Sequence, residues 1–124
     1  KGFGLVLIID DEMIMREMAS SILHECGYTT ITAENGKEGL EIFKSQKDNI
    51  KVVILDMVMP EMGGKETFIK IKEIKSTAKM LLSSGFREDE RVQSVLKLGA
   101  DGFLQKPYTL EKLAVAINEI TQKS

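Results

Sequence analysis

The sequence has a single cysteine, almost no net charge and no long hydrophobic run, and each of these shortages excludes a class of protein. Cys26 has no second cysteine with which to form an internal disulfide, which suits a reducing compartment, so we expect a cytoplasmic protein. The formal net charge is -2 and the lysines are scattered along the chain, so we expect no direct nucleic-acid partner. Every apolar run is far shorter than the roughly 18 residues of a membrane span, so we expect no membrane insertion by this domain.

The length suits one domain built around one hydrophobic core. The proportions of 43% hydrophobic and 29% charged residues are ordinary for a soluble folded domain, and we expect residues 1–124 to form a single one. The chain opens on Lys1 instead of an initiator methionine, so we also expect it to be a segment of a longer protein.

Hydrophobic periodicity along the chain alternates between the patterns of strands and helices. The run LVLII at 5–9 is aliphatic throughout and too short for a buried helix, which predicts a strand covered on both faces. Apolar residues then recur every three or four positions, and Gly27 is a plausible helix stop. The cycle repeats, with predicted strands at 5–9, 29–33, 52–55, 79–83 and 102–105 and predicted helices at 12–26, 36–45, 65–74, 88–98 and 110–122, the last with Thr109 as a candidate N-cap. Such connections imply a parallel sheet with helices on both faces.

Polar residues stand directly after the predicted strands, where open parallel sheets bind their ligands. The residues at these strand ends are Asp10 and Asp11 after the first strand, Asp56 after the third, Ser83 and Ser84 at the fourth, and Lys106 and Pro107 after the fifth. Carboxyl ends of parallel strands meet at one edge of a sheet. We therefore expect three aspartates, a hydroxyl and an ammonium to converge there.

Such a cluster has a predictable chemistry. Neighbouring carboxylates raise one another's pKa unless a cation arrives, and carboxylate oxygens without histidine or thiolate favour Mg²⁺, with Mn²⁺ as the second choice. A phosphoryl group bound there would have its charge balanced by the metal, the hydroxyl and Lys106, while a carboxylate attacks phosphorus in line. The predicted product is an aspartyl phosphate.

The same positions resemble the receiver domain of two-component response regulators. The resemblance covers essentially the whole chain and rests on Asp10-Asp11, Asp56 within DMVMP, Ser84-Gly85 and Lys106-Pro107, in the order and at the spacing of that family. It implies an α/β fold, namely a doubly wound five-stranded parallel sheet of the (βα)5 type with the flavodoxin-like strand order 2-1-3-4-5 and helices on both faces.

The resemblance also implies the roles of the acidic residues and the lysine. Asp56 would accept a phosphoryl group from a phosphohistidine of a sensor histidine kinase or of a histidine phosphotransfer protein. Mg²⁺ would be held by Asp10, Asp11 and Asp56 together with the backbone carbonyl of Val58. Lys106 would pair with the phosphoryl group.

Two further positions would couple phosphorylation to a conformational change, and a third would direct Lys106 into the site. Ser84 would donate a hydrogen bond to a phosphoryl oxygen, and spacing favours it over Ser83, which stays open as an alternative. Phe103 takes the position of the family's bulky switch residue. Pro107 is the candidate for a cis peptide bond, since proline is the residue that adopts one at low cost.

The output implied by the resemblance is a change of shape rather than a chemical product. The isolated domain would be no enzyme but a switch that promotes its own phosphorylation and dephosphorylation. A downstream effector or an attached output domain would read the surface of the fourth helix, fifth strand and fifth helix. The phrases LLSSGF and GADGFLQKPYTLEKL are most similar to receivers of hybrid histidine kinases, so the parent chain could be such a kinase.

Three other functions compete with this interpretation. An aspartate-nucleophile phosphatase would carry a second acid two residues after the nucleophile, where this chain has Val58. A flavodoxin-like redox module would need a glycine- and hydroxyl-rich loop after the first strand instead of DDEM. A degenerate receiver that serves only as a protein-binding scaffold is the third, and the intact acidic set argues against it.

Overall fold

Five strands alternate with five helices over residues 4–122, the part of the chain that a computed structural model describes. In chain order they are β1 Leu5–Ile9, α1 Met13–Glu25, β2 Thr29–Ala33, α2 Gly36–Gln46, β3 Ile50–Asp56, α3 Gly64–Ile74, β4 Met80–Ser84, α4 Glu90–Lys97, β5 Gly102–Gln105 and α5 Leu110–Gln122. The predicted alternation is confirmed. Lys1, on which the expectation of a longer parent chain depends, lies outside the described residues. No helix among those described is long and apolar enough to cross a bilayer.

The five strands form one parallel sheet in the order β2-β1-β3-β4-β5, so the predicted doubly wound, flavodoxin-like fold is confirmed. Ile9 pairs in register with Ala33 on one side and Leu55 on the other, and Asp56 pairs with Ser83. Neighbouring strands therefore end at nearly the same level. This register brings the residues that follow the strands to one edge of the sheet.

Alternate side chains of the strands point to opposite faces, and a separate hydrophobic core forms on each face. On one face α1 and α5 contribute Ala19, Leu23, Leu113 and Ile117, which pack with Val6, Ile8, Val52 and Ile54. On the other face α2, α3 and α4 contribute Phe43, Phe68, Ile71, Val92 and Val95, which pack with Leu7, Ile9, Val53 and Leu55. Burial on both faces explains why the central strands are aliphatic without a break.

Helix ends follow local capping chemistry. Gly27 has φ +96°, the left-handed conformation that ends α1, and the Thr109 hydroxyl accepts a hydrogen bond from the Lys112 backbone N–H at 3.1 Å, so both predicted signals are confirmed. The fourth helix begins later than predicted, because the Asp89 carboxylate accepts the backbone N–H of Arg91 at 2.8 Å and caps the helix there.

The start of α3 approaches the end of β3 so closely that it requires a glycine. A Cβ on Gly64 would lie 2.7 Å from the backbone Cα of Met57, which the sheet holds in place. Gly64→Ala is therefore expected to lower the free energy of unfolding by about 2 kcal/mol, measured by urea denaturation.

The neighbouring Gly63 provides a matched control. Its φ is -72°, and a Cβ there would meet nothing within 4 Å. Gly63→Ala is therefore expected to change the free energy of unfolding by less than about 0.5 kcal/mol. Equal losses in the two variants would contradict the close approach at Gly64.

Candidate functional site

A cavity of about 610 Å³ lies at the carboxyl edge of the sheet. Its walls come from segments that follow four of the strands, and the residues that line it are Asp11, Glu12, Met15, Asp56, Val58, Gly85, Lys106 and Pro107. The cavity thus collects side chains far apart in sequence at the edge where the sequence predicts a binding site.

Three aspartates meet at this cavity. Asp10, Asp11 and Asp56 each offer a carboxylate oxygen within 4.8 Å of the others. Asp10 and Asp56 are only 3% and 2% exposed, whereas Asp11 is exposed. Backbone N–H groups orient the two buried carboxylates, since Glu12 donates to Asp10 Oδ1 at 2.9 Å and Val58 donates to Asp56 Oδ1 at 3.1 Å.

Lys106 brings a positive charge to the same cluster. Its Nζ lies 2.8 Å from Asp10 Oδ2 and 3.4 Å from Asp56 Oδ2, and its side chain is 13% exposed. The backbone N–H of Lys106 donates to the carbonyl of Ser84 at 2.8 Å, which ties the end of β5 to the end of β4. The peptide bond between Lys106 and Pro107 is cis.

Burial and charge shift the ionisation of the two central groups, Asp56 and Lys106. Burial raises the pKa of Asp56 from 3.8 to about 7, although the Val58 N–H and the charge of Lys106 oppose the rise and the charge of Asp10 adds to it. Burial opposes the charge on Lys106, but the hydrogen bond to Asp10 and the charges of Asp56 and Asp10 raise the pKa of Lys106 above its ordinary value. Lys106 therefore stays charged, while Asp56 holds its proton more tightly than an exposed aspartate.

The donor set fits a divalent metal ion. All three potential ligands are carboxylates, and two of them are buried in a pocket with one ammonium group, so the cluster carries more negative than positive charge when fully ionised. Hard oxygen donors without nitrogen or sulfur favour Mg²⁺ or Mn²⁺ over zinc. The backbone of Val58 lies beside Asp56, and Val58 lines the cavity.

The two predicted switch residues, Ser84 and Phe103, lie in different surroundings. Ser84 is buried at the end of β4, and its Oγ accepts the backbone N–H of Phe86 at 3.2 Å. The buried Ser83 hydroxyl has no hydrogen-bond partner within residues 4–122. Phe103 is partly buried and lines a second cavity of about 540 Å³ beside α5, with the Arg87 guanidinium 5.2 Å from its ring centroid.

Glu12 belongs to the site, although its sequence pattern predicts only the start of the first helix. Its Oε1 lies 3.1 Å from Lys106 Nζ, which makes it a third carboxylate around that ammonium. The signal in the sequence is the unbroken acidic run of Asp10, Asp11 and Glu12. Tyr108 is buried two residues after Lys106, where burial and then the charge of Asp10 raise the pKa of its hydroxyl to about 12.

Comparison with known proteins identifies the family. The family described as response regulator receiver domain matches residues 6–118. The chemotaxis protein CheY of Thermotoga maritima is 34% identical over 118 residues, which are 94% of this chain and 97% of that protein. The sensor kinase CckA of Brucella abortus is 32% identical over 122 residues, which are 98% of this chain but only 13% of the kinase.

Solved structures agree with the sequence comparisons. A response regulator receiver domain protein from Clostridium thermocellum superposes with a TM-score of 0.89 at 32% identity, covering 95% of this chain and 94% of that one. A chain of the CheX-CheY-BeF3-Mg²⁺ complex from Borrelia burgdorferi superposes with a TM-score of 0.91 at 29% identity, covering 97% of this chain and 90% of that one. This chain therefore belongs to the response regulator receiver domain family.

Proposed function

We propose that this receiver domain is a phosphorylation-activated switch of a two-component system and that Asp56 accepts the phosphoryl group. The observation that carries the proposal is the convergence of three carboxylates within 4.8 Å of one another, two of them beside the Lys106 ammonium. A phosphoryl group needs a nucleophile, a cation to balance its charge and an open approach, and the cavity offers all three.

In this proposal the acidic cluster holds Mg²⁺, or Mn²⁺ as the second choice. The ligands are carboxylate oxygens of Asp10, Asp11 and Asp56 and the backbone carbonyl of Val58. The bound ion supplies neutralisation of the negative charge on the phosphoryl oxygens. The solved CheX-CheY complex from Borrelia burgdorferi contains BeF3 and Mg²⁺, which supports this choice of ion.

The phosphoryl transfer itself uses the oxygen of Asp56 that accepts no backbone hydrogen bond. Its Oδ1 accepts the Val58 N–H, whereas its Oδ2 lies toward Lys106, so we assign Oδ2 as the attacking atom. The P–O bond to Asp56 forms as the P–N bond of a phosphohistidine breaks, and the imidazole leaves with the electron pair of that bond. Lys106, already charged beside Asp56, pairs with the oxygens of the transferred group.

The conformational response starts at Ser84 and ends at the surface around Phe103. The Ser84 hydroxyl exchanges its contact with the Phe86 N–H for a phosphoryl oxygen, and this draws the end of β4 inward. Ser83 remains the alternative, because its hydroxyl lies beside Asp56 in register and has no partner among the described residues. The cavity beside Phe103 is lined by residues of β5 and α5 and by Arg87, which precedes α4, and it supports this region as the surface that a partner reads.

The proposal includes the partners and the parent chain. Receiver domains pair with kinases and effectors, and here the donor is a sensor histidine kinase or a histidine phosphotransfer protein and the reader is an effector or an attached output domain. Almost the whole of this chain matches a segment that makes up 13% of the sensor kinase CckA, which supports a hybrid kinase as one parent architecture. We further propose that residues 1–124 form one receiver domain, which lies in the cytoplasm and does not bind nucleic acid directly. This domain acts as a self-phosphorylating and self-dephosphorylating switch rather than as an enzyme.

The proposal is tested by exposing the chain to acetyl phosphate with and without Mg²⁺. We expect one phosphoryl group per chain in the presence of Mg²⁺, detected by intact mass, and none after chelation with EDTA. An unlabelled chain would favour the degenerate scaffold, and labelling that does not depend on the metal would contradict the acidic site.

The raised pKa of Asp56 predicts that the affinity for Mg²⁺ depends on pH. Below about pH 7 the ion must displace the proton of Asp56, so the apparent affinity is expected to fall by up to about tenfold per pH unit, and above this pH it should level off. Isothermal titration calorimetry in buffers of different ionisation enthalpy measures both the affinity and the proton released.

Asp56→Asn is the control for this linkage. The amide cannot bind or release a proton in this range, so the variant should bind Mg²⁺ more weakly and with a much shallower dependence on pH. If the Mg²⁺ affinity of the unsubstituted chain were constant through the neutral pH range, burial could not have raised the pKa of Asp56 to about 7.

A further inference from the structure

The ammonium of Lys106 is shared by three carboxylates, and one of them lies outside the acidic cluster. Lys106 Nζ lies 2.8 Å from Asp10, 3.1 Å from Glu12 and 3.4 Å from Asp56. The two shorter contacts are on the side of β1 and α1. In this state the ammonium is therefore closer to Asp10 and Glu12 than to the proposed phosphoryl acceptor.

Within residues 4–122, the Glu12 side chain has no hydrogen-bond or ion-pair partner other than Lys106. It stands at the N-cap position of α1, where a carboxylate could accept a backbone N–H, but its side chain makes no capping hydrogen bond. Its own backbone N–H donates to Asp10 Oδ1, which fixes the start of the side chain beside the cavity. The carboxylate instead forms an ion pair with Lys106.

We propose that Glu12 is a positioning residue that draws the Lys106 ammonium toward the start of α1 and thereby opposes its closer approach to a phosphoryl group on Asp56; this inference rests on the proposed function. An ammonium has three N–H donors, and Asp10 and Glu12 engage two of them in this structure. A phosphoryl group on Asp56 must draw Lys106 toward itself. Glu12 competes for the same charge, so it sets how easily Lys106 moves from its position in the unphosphorylated state toward the phosphoryl group.

The size of the effect follows from the exposure of the pair. The Glu12 side chain is 60% exposed, so water screens its attraction to Lys106 and the contribution is modest. Glu12→Gln keeps the shape and removes the charge. We expect this variant to bind the phosphoryl mimic beryllofluoride, at a fixed Mg²⁺ concentration and low ionic strength, about two- to fivefold more tightly.

The test compares beryllofluoride half-saturation in the unsubstituted chain, in Glu12→Gln and in Glu17→Gln, followed by NMR. Glu17 is an exposed glutamate of α1 and has no contact with Lys106 in the structure. Glu17→Gln therefore removes the same charge as Glu12→Gln and leaves the contact between Glu12 and Lys106 in place. Tighter binding in Glu12→Gln alone, with a difference that shrinks as KCl is raised to about 1 M, is the result expected from competition for the ammonium. A purely structural change at the start of α1 would not depend on salt in this way.

The possible failures are distinguishable. If the unsubstituted chain binds beryllofluoride but Glu12→Gln binds it no more tightly than Glu17→Gln does, the inference about Glu12 is overturned and the proposed function stands. If Glu12→Gln is tighter but the difference persists unchanged in high salt, the electrostatic competition is overturned. If the unsubstituted chain binds no beryllofluoride in Mg²⁺, the proposed function fails and the inference fails with it.

Discussion

Asp56→Asn is expected to abolish phosphoryl acceptance, with the initial rate of labelling by acetyl phosphate in Mg²⁺ at least about 100-fold below that of the unsubstituted chain. The substitution preserves the shape of a side chain that is 2% exposed and exchanges a carboxylate nucleophile for an amide. The other two carboxylates of the acidic cluster, Asp10 and Asp11, belong to the loop after β1 and are proposed to hold the metal rather than to attack phosphorus. Intact mass over time gives the rate.

The loss of labelling in Asp56→Asn is not expected to come from unfolding. The pKa of Asp56 is raised from 3.8 to about 7 in the folded chain, so the unfolded chain loses this proton first as pH rises. The metal-free fold therefore loses stability between these two values, and the loss is complete above the higher one. Since an amide cannot ionise, Asp56→Asn should raise the free energy of unfolding by about 1 to 3 kcal/mol at about pH 8.

A matched aspartate separates the role of Asp56 from the effect of charge. Asp48 is exposed in the turn after α2, and Asp48→Asn removes the same charge away from the cavity. This variant should be labelled at the rate of the unsubstituted chain. If Asp56→Asn kept more than about a tenth of the labelling rate, another residue would have to be the acceptor.

Lys106→Met is expected to lower the rate of phosphoryl acceptance by about 100-fold, because it removes the protein cation nearest to the charge that develops on the transferred group. Methionine can fill the volume of the lysine stem, whose side chain is only 13% exposed, so the cavity wall is kept. Initial rates at saturating Mg²⁺ and about pH 8, where Asp56 is mostly ionised, measure the effect on transfer rather than on protonation.

The substitution also leaves two buried carboxylates without their ammonium. Lys106 stabilises the ionised form of Asp56, so its removal should raise the pKa of Asp56 further and weaken Mg²⁺ binding most strongly at low pH. Lys65→Met, on the exposed side of α3, is the control that removes a lysine away from the site. A rate within about threefold of the unsubstituted chain would show that the charge of Lys106 is not used in the transfer.

The acidic cluster was predictable because it depends on a general property of parallel sheets. Aliphatic runs ended at Asp10 and Asp56, and a parallel register with level strand ends brings the residues after such runs together. No contact had to be known in advance. Lys106 follows the same rule, since it stands directly after β5.

The contact between Glu12 and Lys106 was not predictable in this way. The two residues are 94 positions apart, and no periodic pattern links a glutamate at a helix start to a lysine after a distant strand. Their meeting depends on how the loops after β1 and β5 lie across the cavity and on the rotamer of an exposed side chain.

The choice between Ser83 and Ser84 marks a second limit of the sequence. Strand alternation assigns adjacent residues to opposite faces, but it does not fix the residue at which a strand ends. The fourth strand ends at Ser84, one residue later than predicted, and both serines are buried. Only their contacts therefore distinguish the two serines. The Ser84 hydroxyl accepts the backbone N–H of Phe86, whereas the Ser83 hydroxyl has no hydrogen-bond partner among the described residues.

The most direct test of the central claim is to locate the phosphoryl group after labelling in Mg²⁺. Borohydride reduction converts an acyl phosphate to an alcohol, and tandem mass spectrometry then identifies the residue that carried it. We predict reduction at Asp56 alone and only in samples labelled with Mg²⁺ present. A modified Asp10, Asp11 or Ser84, or a modified Asp56 in the absence of a divalent ion, would contradict the account.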